Sequence, residues 1–462
     1  MRVHIRFDAG TLLFGDVPEG FDLGLVDGIR FDTRVKAWRA RACDKDAILH
    51  ALQLKGMEVA DDAWRPLPAP EIVPPIELRT YQEDALSAWE RARRRGVIVL
   101  PTGSGKTRIA IAAIARTGLR SIILVPTRVL LEQWVSELHA MGFTSIGRYG
   151  DSHHEMGPVT VATIDGAWRA MHRIGDAFDL VIVDEVHRVA GEVRGEVLEM
   201  SIAAARMGLT ATMPDADGTA RIEKLVGPVV HTSTIDELAG HFLSPFEIVV
   251  MNIQLLRNER EHYDLWMDRF RSWADEQKFI DPEITFVGLM KRARRSAEGR
   301  AAVEALRAAQ QVLHWPAHKR IVTAELLAEH HDRRVLVFTP DNKTAFAIAK
   351  EHLVPPITCD MPRPERALVL DMFRKGAVRC LVSSQVLNEG VDVPDADVAI
   401  VVGGRQGERE HIQRIGRVLR PVQGKSATVY ELVVDKSSEV RAGKRRRLTM
   451  EKAGRPSTRG PA

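Results

Sequence analysis

Between residues 97 and 209 the chain alternates short, wholly apolar runs with longer stretches of helical periodicity. The runs are Val97–Leu100, Ile122–Val125, Val159–Ala162, Leu180–Val183 and Met207–Leu209. In the stretch Arg128–Ala140, Val129, Leu130, Trp134, Val135 and Leu138 recur at the spacing of one helix face. Continuous apolar strands alternating with helices predict a parallel, doubly wound sheet, which binds ligands at the carboxyl ends of its strands. The pattern returns in Val335–Phe338, Cys380–Val382, Val398–Val402 and Val429–Val433, predicting a second α/β unit.

The segments around these units read differently. Near the amino terminus Val3, Ile5 and Phe7 alternate as in a strand, and Asp44 is placed to cap a helix through Ile48, Leu49, Leu52 and Leu54 that Gly56 ends. Pro66, Pro68, Pro70, Pro74 and Pro75 follow, a density that predicts an extended, semi-rigid linker. Residues 251–320 are helical and charged, with Trp266, Phe270 and Trp273 as a core-facing stripe. The expected division is an α+β accessory unit (1–65), the linker (66–77), a first lobe (78–250), a helical insertion (251–320), a second lobe (321–436) and a basic, disordered tail (437–462). The length of 462 residues agrees with about three domains at ~150 residues each.

Composition excludes more than it suggests. Lys+Arg is 65 against Asp+Glu 62, so net charge alone does not announce a nucleic-acid binder. The basic residues are clustered in Arg91–Arg95, Lys291–Arg295 and Lys444–Arg447, each of which also reads as a solvated face or tail. Cys43, Cys359 and Cys380 are isolated, which points to neither a zinc site nor a disulfide framework. His153-His154 and His330-His331 lack ligand partners at metal spacing and are expected to be solvated pairs. No signal peptide or membrane span is apparent, so a cytoplasmic location is expected.

Two stretches carry chemistry. Pro101-Thr102-Gly103-Ser104-Gly105-Lys106-Thr107 lies between an apolar strand and a helix, with Leu100 where such loops usually begin with glycine. Glycines let the backbone wrap a phosphate, and the amides of the helix N-terminus point at it. Lys106 would reach the β- and γ-phosphates, and the Thr107 hydroxyl would hold Mg²⁺. The second stretch is Val181-Ile182-Val183-Asp184-Glu185-Val186-His187, where acids emerge at the end of a buried strand. Asp184 would bind Mg²⁺ and Glu185 would orient and deprotonate the attacking water.

With these in order, the chain resembles the superfamily 2 helicases of the DExH group from Arg79 to Arg420. Arg79-Thr80-Tyr81-Gln82 looks like the Q-motif, which implies adenine contacts from Arg79 and Gln82. Val125–Arg128, Ala162–Asp165, Gly208–Thr212, Phe338–Pro340, Asn388–Pro394 and Gln413–Arg420 resemble the later motifs. The resemblance implies two tandem RecA-like lobes, with ATP and Mg²⁺ between them. It also implies catalytic roles for His187, Gln413, Arg417 and Arg420, and ribose and backbone contacts at Asp392 and Gly390. Thr127, Arg128, Thr163, Thr339 and Ser384 would touch the nucleic-acid backbone.

Within the superfamily the nearest likeness is to the XPB-type repair helicases. It rests on Leu78–Gln82 leading into the phosphate loop, on Arg206–Thr212, and on an accessory unit similar to that group's damage-recognition module. The chain has Asp215-Ala216-Asp217 where that group carries Arg-Glu-Asp. The implied activity is ATP-dependent unwinding of single-stranded or forked DNA, 3′ to 5′, in repair or recombination, with a nuclease or repair protein as partner. A duplex translocase, an RNA substrate and an ATP-gated scaffold remain open. So do an arm over nucleic acid and a packed spacer for residues 251–320.

Overall fold

The computed structural model describes residues 2–17, 21–101, 103–150, 153–234, 237, 246–358, 360–384, 396–403 and 427–440. They divide into two compact units that part at residue 237. Among the described residues no helix is long and apolar enough to cross a membrane.

The first unit begins with a five-stranded sheet in the order Arg30–Asp32, Ala37–Arg41, Thr11–Gly15, Arg2–Asp8, Glu58–Asp62. Val3 and Ile5 face inward with Leu12, Phe14, Ile48 and Leu52, as the alternation predicts. The helix Lys45–Leu54 starts after Asp44, but Asp44 does not cap it through its side chain. Its carboxylate instead takes two bonds from the Arg41 guanidinium, at 2.9 and 3.0 Å. A charged fork outcompetes a lone amide for those oxygens. Ile202, in the loop before the strand Ala205–Thr210, belongs to this small core, so the accessory unit packs against that part of the first lobe.

That larger sheet has eight strands, ordered Val229–Thr232, Arg95–Val99, Ala205–Thr210, Leu180–Asp184, Ser121–Val125, Val159–Thr163, Ile146–Gly150, His153–Glu155. All neighbours pair in parallel except the last two. The five expected strands are present and buried, and the helix Arg128–Ala140 has the expected bounds. Arg206 is fully buried. It donates to the carbonyls of Leu198 and Leu225, the ends of two helices, and to those of Ser201 and Ala203. Burial draws its pKa down to about 10.

The proline-rich segment forms no helix or strand, in line with expectation, yet it is pinned to the first lobe. Arg65 N–H donates to the Asp176 carbonyl at 2.9 Å. The Trp64 ring lies 3.9 Å from the Arg120 guanidinium, which pairs with Asp179. Glu71 accepts from Thr144 Oγ1 and the Ser145 amide, both at 2.7 Å. Partial burial pushes the Glu71 carboxyl up, but these bonds outweigh it and hold its pKa down to about 2. At the far end the Arg108 side chain donates to the Glu77 carbonyl at 2.8 Å.

The second unit carries a six-stranded, all-parallel sheet ordered Phe246–Ile253, Ala427–Val434, Val398–Val401, Val335–Phe338, Cys380–Ser383, Pro356–Ile357. The expected boundaries differ here. Phe246–Ile253 is an edge strand beside Ala427–Val434, so residues assigned to the end of the first lobe and the start of the insertion belong to this sheet. The helices Arg257–Ile280 and Ala297–His314 share one core with Val335, Val337, Ile400 and Leu432. They are therefore the packed alternative rather than a free arm. Phe270 and Trp273 are buried there, with Trp266 at the rim. His330, expected to be solvated, is buried and bonded through Nε2 to the Tyr430 hydroxyl at 2.9 Å.

Candidate active site

The phosphate loop leaves the strand Arg95–Val99 and enters the helix Lys106–Thr117. Gly103 and Gly105 take left-handed φ of 82° and 78°, which side chains resist. At Gly105 a Cβ would also stand 2.4 Å from Gln82 Nε2. The loop is held from behind by the Q-motif helix. Tyr81 Oη and Gln82 Nε2 both donate to the Ser104 carbonyl, at 2.5 and 2.8 Å, and Gln82 Oε1 accepts the Arg79 N–H at 2.9 Å. Gln82 is thus buried and bonded to the loop, whereas the resemblance implied an adenine contact; Arg79 is exposed. The Ser104 hydroxyl donates to the Pro101 carbonyl at 2.7 Å, closing the turn. Lys106 Nζ folds over the loop onto the carbonyls of Leu100 and Pro101, at 2.9 and 3.1 Å. Thr107 is half-buried in the first turn of the helix. Thr102 lies outside the described residues.

Asp184 ends the strand Leu180–Asp184, next to the strand Ala205–Thr210, whose other neighbour leads into the loop. Asp184 is buried. Its Oδ2 accepts from Trp134 Nε1 and its Oδ1 from the Glu185 amide, both at 3.0 Å. Burial and the neighbouring Glu185 charge push its pKa up to about 6, against the Trp134 bond and the Lys106 charge. Glu185 adopts a left-handed backbone, φ 51°, which costs a non-glycine residue roughly 1–2 kcal/mol. Such strain clusters at functional sites because the surroundings over-determine it.

His187 Nδ1 lies 3.1 Å from Thr210 Oγ1 and 3.5 Å from Glu185 Oε2. The Thr210 hydroxyl donates to the Thr212 carbonyl at 2.8 Å and accepts the Thr212 amide at 3.2 Å. With the hydroxyl proton so committed, the bonding pattern assigns the imidazole proton to Nδ1. His187 thus stands between Glu185 and the turn after the next strand.

The expected nucleic-acid residues separate into two groups. Thr127 and Thr163 stand at the carboxyl ends of adjacent strands and each caps the helix that follows, accepting from Leu130 and Gly166 amides. Arg128 is exposed in the first turn of its helix. Thr339 and Ser384, by contrast, are both almost wholly buried. Thr339 Oγ1 donates to the carbonyls of Asp341 and Ser383, and Ser384 Oγ to Asn342 Oδ1. Gly390, Asp392, Gln413, Arg417 and Arg420 lie outside the described residues. Sequence reasoning passed over Tyr81, adjacent to a motif glutamine, and read Trp134 as core packing alone.

These residues fit a magnesium nucleotide. A left-handed glycine cradle ends at a helix N-terminus, a lysine is folded over it, and a buried carboxylate and the hydroxyl of the helix's first turn are the hard oxygen donors that Mg²⁺ takes.

Known families match along the chain. The family described as "Xeroderma pigmentosum group B helicase damage recognition domain" matches residues 5–63, "Type III restriction enzyme, res subunit" 75–215, and "Helicase conserved C-terminal domain" 318–422. The "DNA 3'-5' translocase XPB2" of Sulfurisphaera tokodaii is 33% identical over 447 residues, 96% of this chain and 100% of that one. The "DNA 3'-5' helicase XPB" of Mycobacterium tuberculosis is 31% identical, over 78% of this chain and 61% of that one. Among solved structures, the Hef helicase domain of Pyrococcus furiosus aligns with TM-score 0.55 at 17% identity, covering 82% of this chain and 100% of that one.

Proposed function

Because this chain belongs to the XPB-type helicases of superfamily 2, ATP-dependent DNA motors, we propose that it is a Mg²⁺-dependent ATPase that moves 3′ to 5′ along DNA and separates strands. The observation that supports this reading best is the convergence of Lys106, Asp184, Glu185 and His187 at the carboxyl edge of one sheet. Bound with Mg²⁺, ATP would supply the transferable phosphoryl group and the charge to be neutralised. Lys106 would exchange its two carbonyl bonds for phosphate oxygens. The Asp184 carboxylate and Thr107 hydroxyl would hold the metal. Glu185 would take the proton of the attacking water, and His187 would pass its position to Thr210. Phosphoryl transfer asks a protein mainly for positioning and charge stabilisation, and this set offers both. Gln413, Arg417 and Arg420 carry over from their motif as proposed γ-phosphate partners, with Asp392 and Gly390 at the ribose.

Thr127 and Thr163 each satisfy one amide of their helix and leave neighbouring N-terminal amides to meet DNA phosphates. Contacts of that kind predict weak sequence preference and strong salt dependence. The accessory sheet, matched over residues 5–63 by a damage recognition family, supports a setting in DNA repair; a nuclease or repair protein is the proposed partner. A second reading, translocation on duplex without strand separation, draws on the word translocase in the name of the relative matched over its full length.

The test is ATP hydrolysis with single-stranded, forked and plain duplex DNA and with RNA, using K106A and E185Q as controls. Stimulation by single-stranded or forked DNA, lost in both variants, supports the helicase. Stimulation by plain duplex alone supports the translocase. No stimulation by any DNA overturns both.

A further inference from the structure

Asp184 is held by a side chain that no motif assignment includes. Trp134 stands midway along the helix Arg128–Ala140, is 1% exposed, and donates its indole N–H to Asp184 Oδ2 at 3.0 Å. The Glu185 amide takes the other oxygen, Oδ1, at the same distance. One donor would leave the carboxylate free to turn about its last bond. Two donors from two different elements, one on each oxygen, fix its plane.

An indole nitrogen is a donor only, so it orients the carboxylate without competing for a cation. It is also neutral, so it leaves the negative charge intact. A buried indole needs only some acceptor, and Trp89 in the same lobe finds one in the Arg206 carbonyl at 2.9 Å. Trp134 instead meets the buried acid at the catalytic edge of the sheet.

We propose that Trp134 is a positioning residue for the metal-binding carboxylate, its indole N–H clamping Asp184 Oδ2 so that the remaining lone pairs face the cation. This rests on the reading of Asp184 as the Mg²⁺ ligand. Partners that orient a metal ligand are typically worth about 10–100-fold in metal affinity.

The experiment is equilibrium binding of a fluorescent ADP analogue to the full chain, without turnover, across a Mg²⁺ titration. W134F keeps most of the ring and removes the donor. It is expected to raise the Mg²⁺ concentration needed by about tenfold or more, leaving metal-free ADP binding unchanged. D184N is expected to abolish the Mg²⁺ dependence, and W134F added to D184N to change nothing further. A W134F curve that superposes on wild type, while D184N shifts, overturns this inference alone. A D184N curve equal to wild type overturns the metal assignment and this inference with it. W134L is a second donorless variant. Should neither fold, wild-type and D184N chains labelled with ¹⁵N-tryptophan give the answer. One indole N–H signal should move with Mg²⁺ and ADP in the wild type and not in D184N; no such signal overturns the proposal.

Discussion

The carboxyl edges of the two large sheets use the same residue types in different ways. In the first lobe Thr127 and Thr163 directly precede a helix, and each hydroxyl is spent on that helix's first turn. In the second lobe Pro340 and Asp341 intervene between Thr339 and the helix Asn342–His352. Asp341 takes over the cap, accepting the Thr344 amide at 2.7 Å, and Thr339 turns inward under it. Two inserted residues thus convert a neutral helix entrance into an anionic one, with the Asp341 carboxyl held below its usual range despite its burial, chiefly by Thr344. Motif likeness places a threonine; the turn that follows decides what its hydroxyl can reach.

The largest effect should come from the first lobe alone. E185Q removes the proposed base and should lower the DNA-stimulated ATPase rate by roughly 10²–10⁴-fold, with ATP binding retained in equilibrium measurements. T339V should act on stability instead. Losing a buried hydroxyl donor should destabilise the second unit by about 1–3 kcal/mol in chemical denaturation. DNA affinity and its salt slope should stay as in wild type, and a fall in either would return Thr339 to the nucleic-acid surface. T163A should cost about 1 kcal/mol of first-unit stability through the lost cap, and unlike T339V should weaken DNA binding. D341N keeps a capping oxygen without the charge and should raise DNA affinity modestly at low salt, with the gain disappearing as salt is added.

The smallest effect is a matter of pH. His314 Nδ1 lies 2.7 Å from Asp341 Oδ2, and burial lowers the His314 pKa below its ordinary 6.5 in spite of that carboxylate. The folded form therefore binds this proton less readily than the unfolded form. The stability it contributes is present above about pH 6.5 and is lost as pH falls through the lower folded value. H314Q should flatten the stability profile of the second unit below pH 6.5, measured by denaturant midpoints.

Much of this arrangement was legible in the sequence, for identifiable reasons. Parallel strands buried on both faces appear as continuous apolar runs, so the strands that lead into the loop and the acids, and the one between them, could be found locally; the edge strand Val229–Thr232, only half-buried, was not. The phosphate loop could be read because its glycines, lysine and threonine are consecutive. Phe246–Ile253 was misplaced because its partner, Ala427–Val434, lies at the far end of the chain and pairing leaves no local mark. Asp44 was misread because a guanidinium three residues earlier competes for it. The left-handed backbone of Glu185 and the Trp134 bond across two elements leave no pattern in periodicity.

The proline-rich segment is composed like a tether and built like a splint. Its entry at Trp64 and Arg65, its middle at Glu71 and its exit at Glu77 are each fastened to the first lobe, the last through Arg108 on the helix that follows the phosphate loop. A tether tolerates added length, because slack changes only how often its ends meet. A splint does not, because each added residue throws the next fastening out of register. The accessory sheet is therefore joined to the first lobe through a strap held at three places along its length, not through a slack chain.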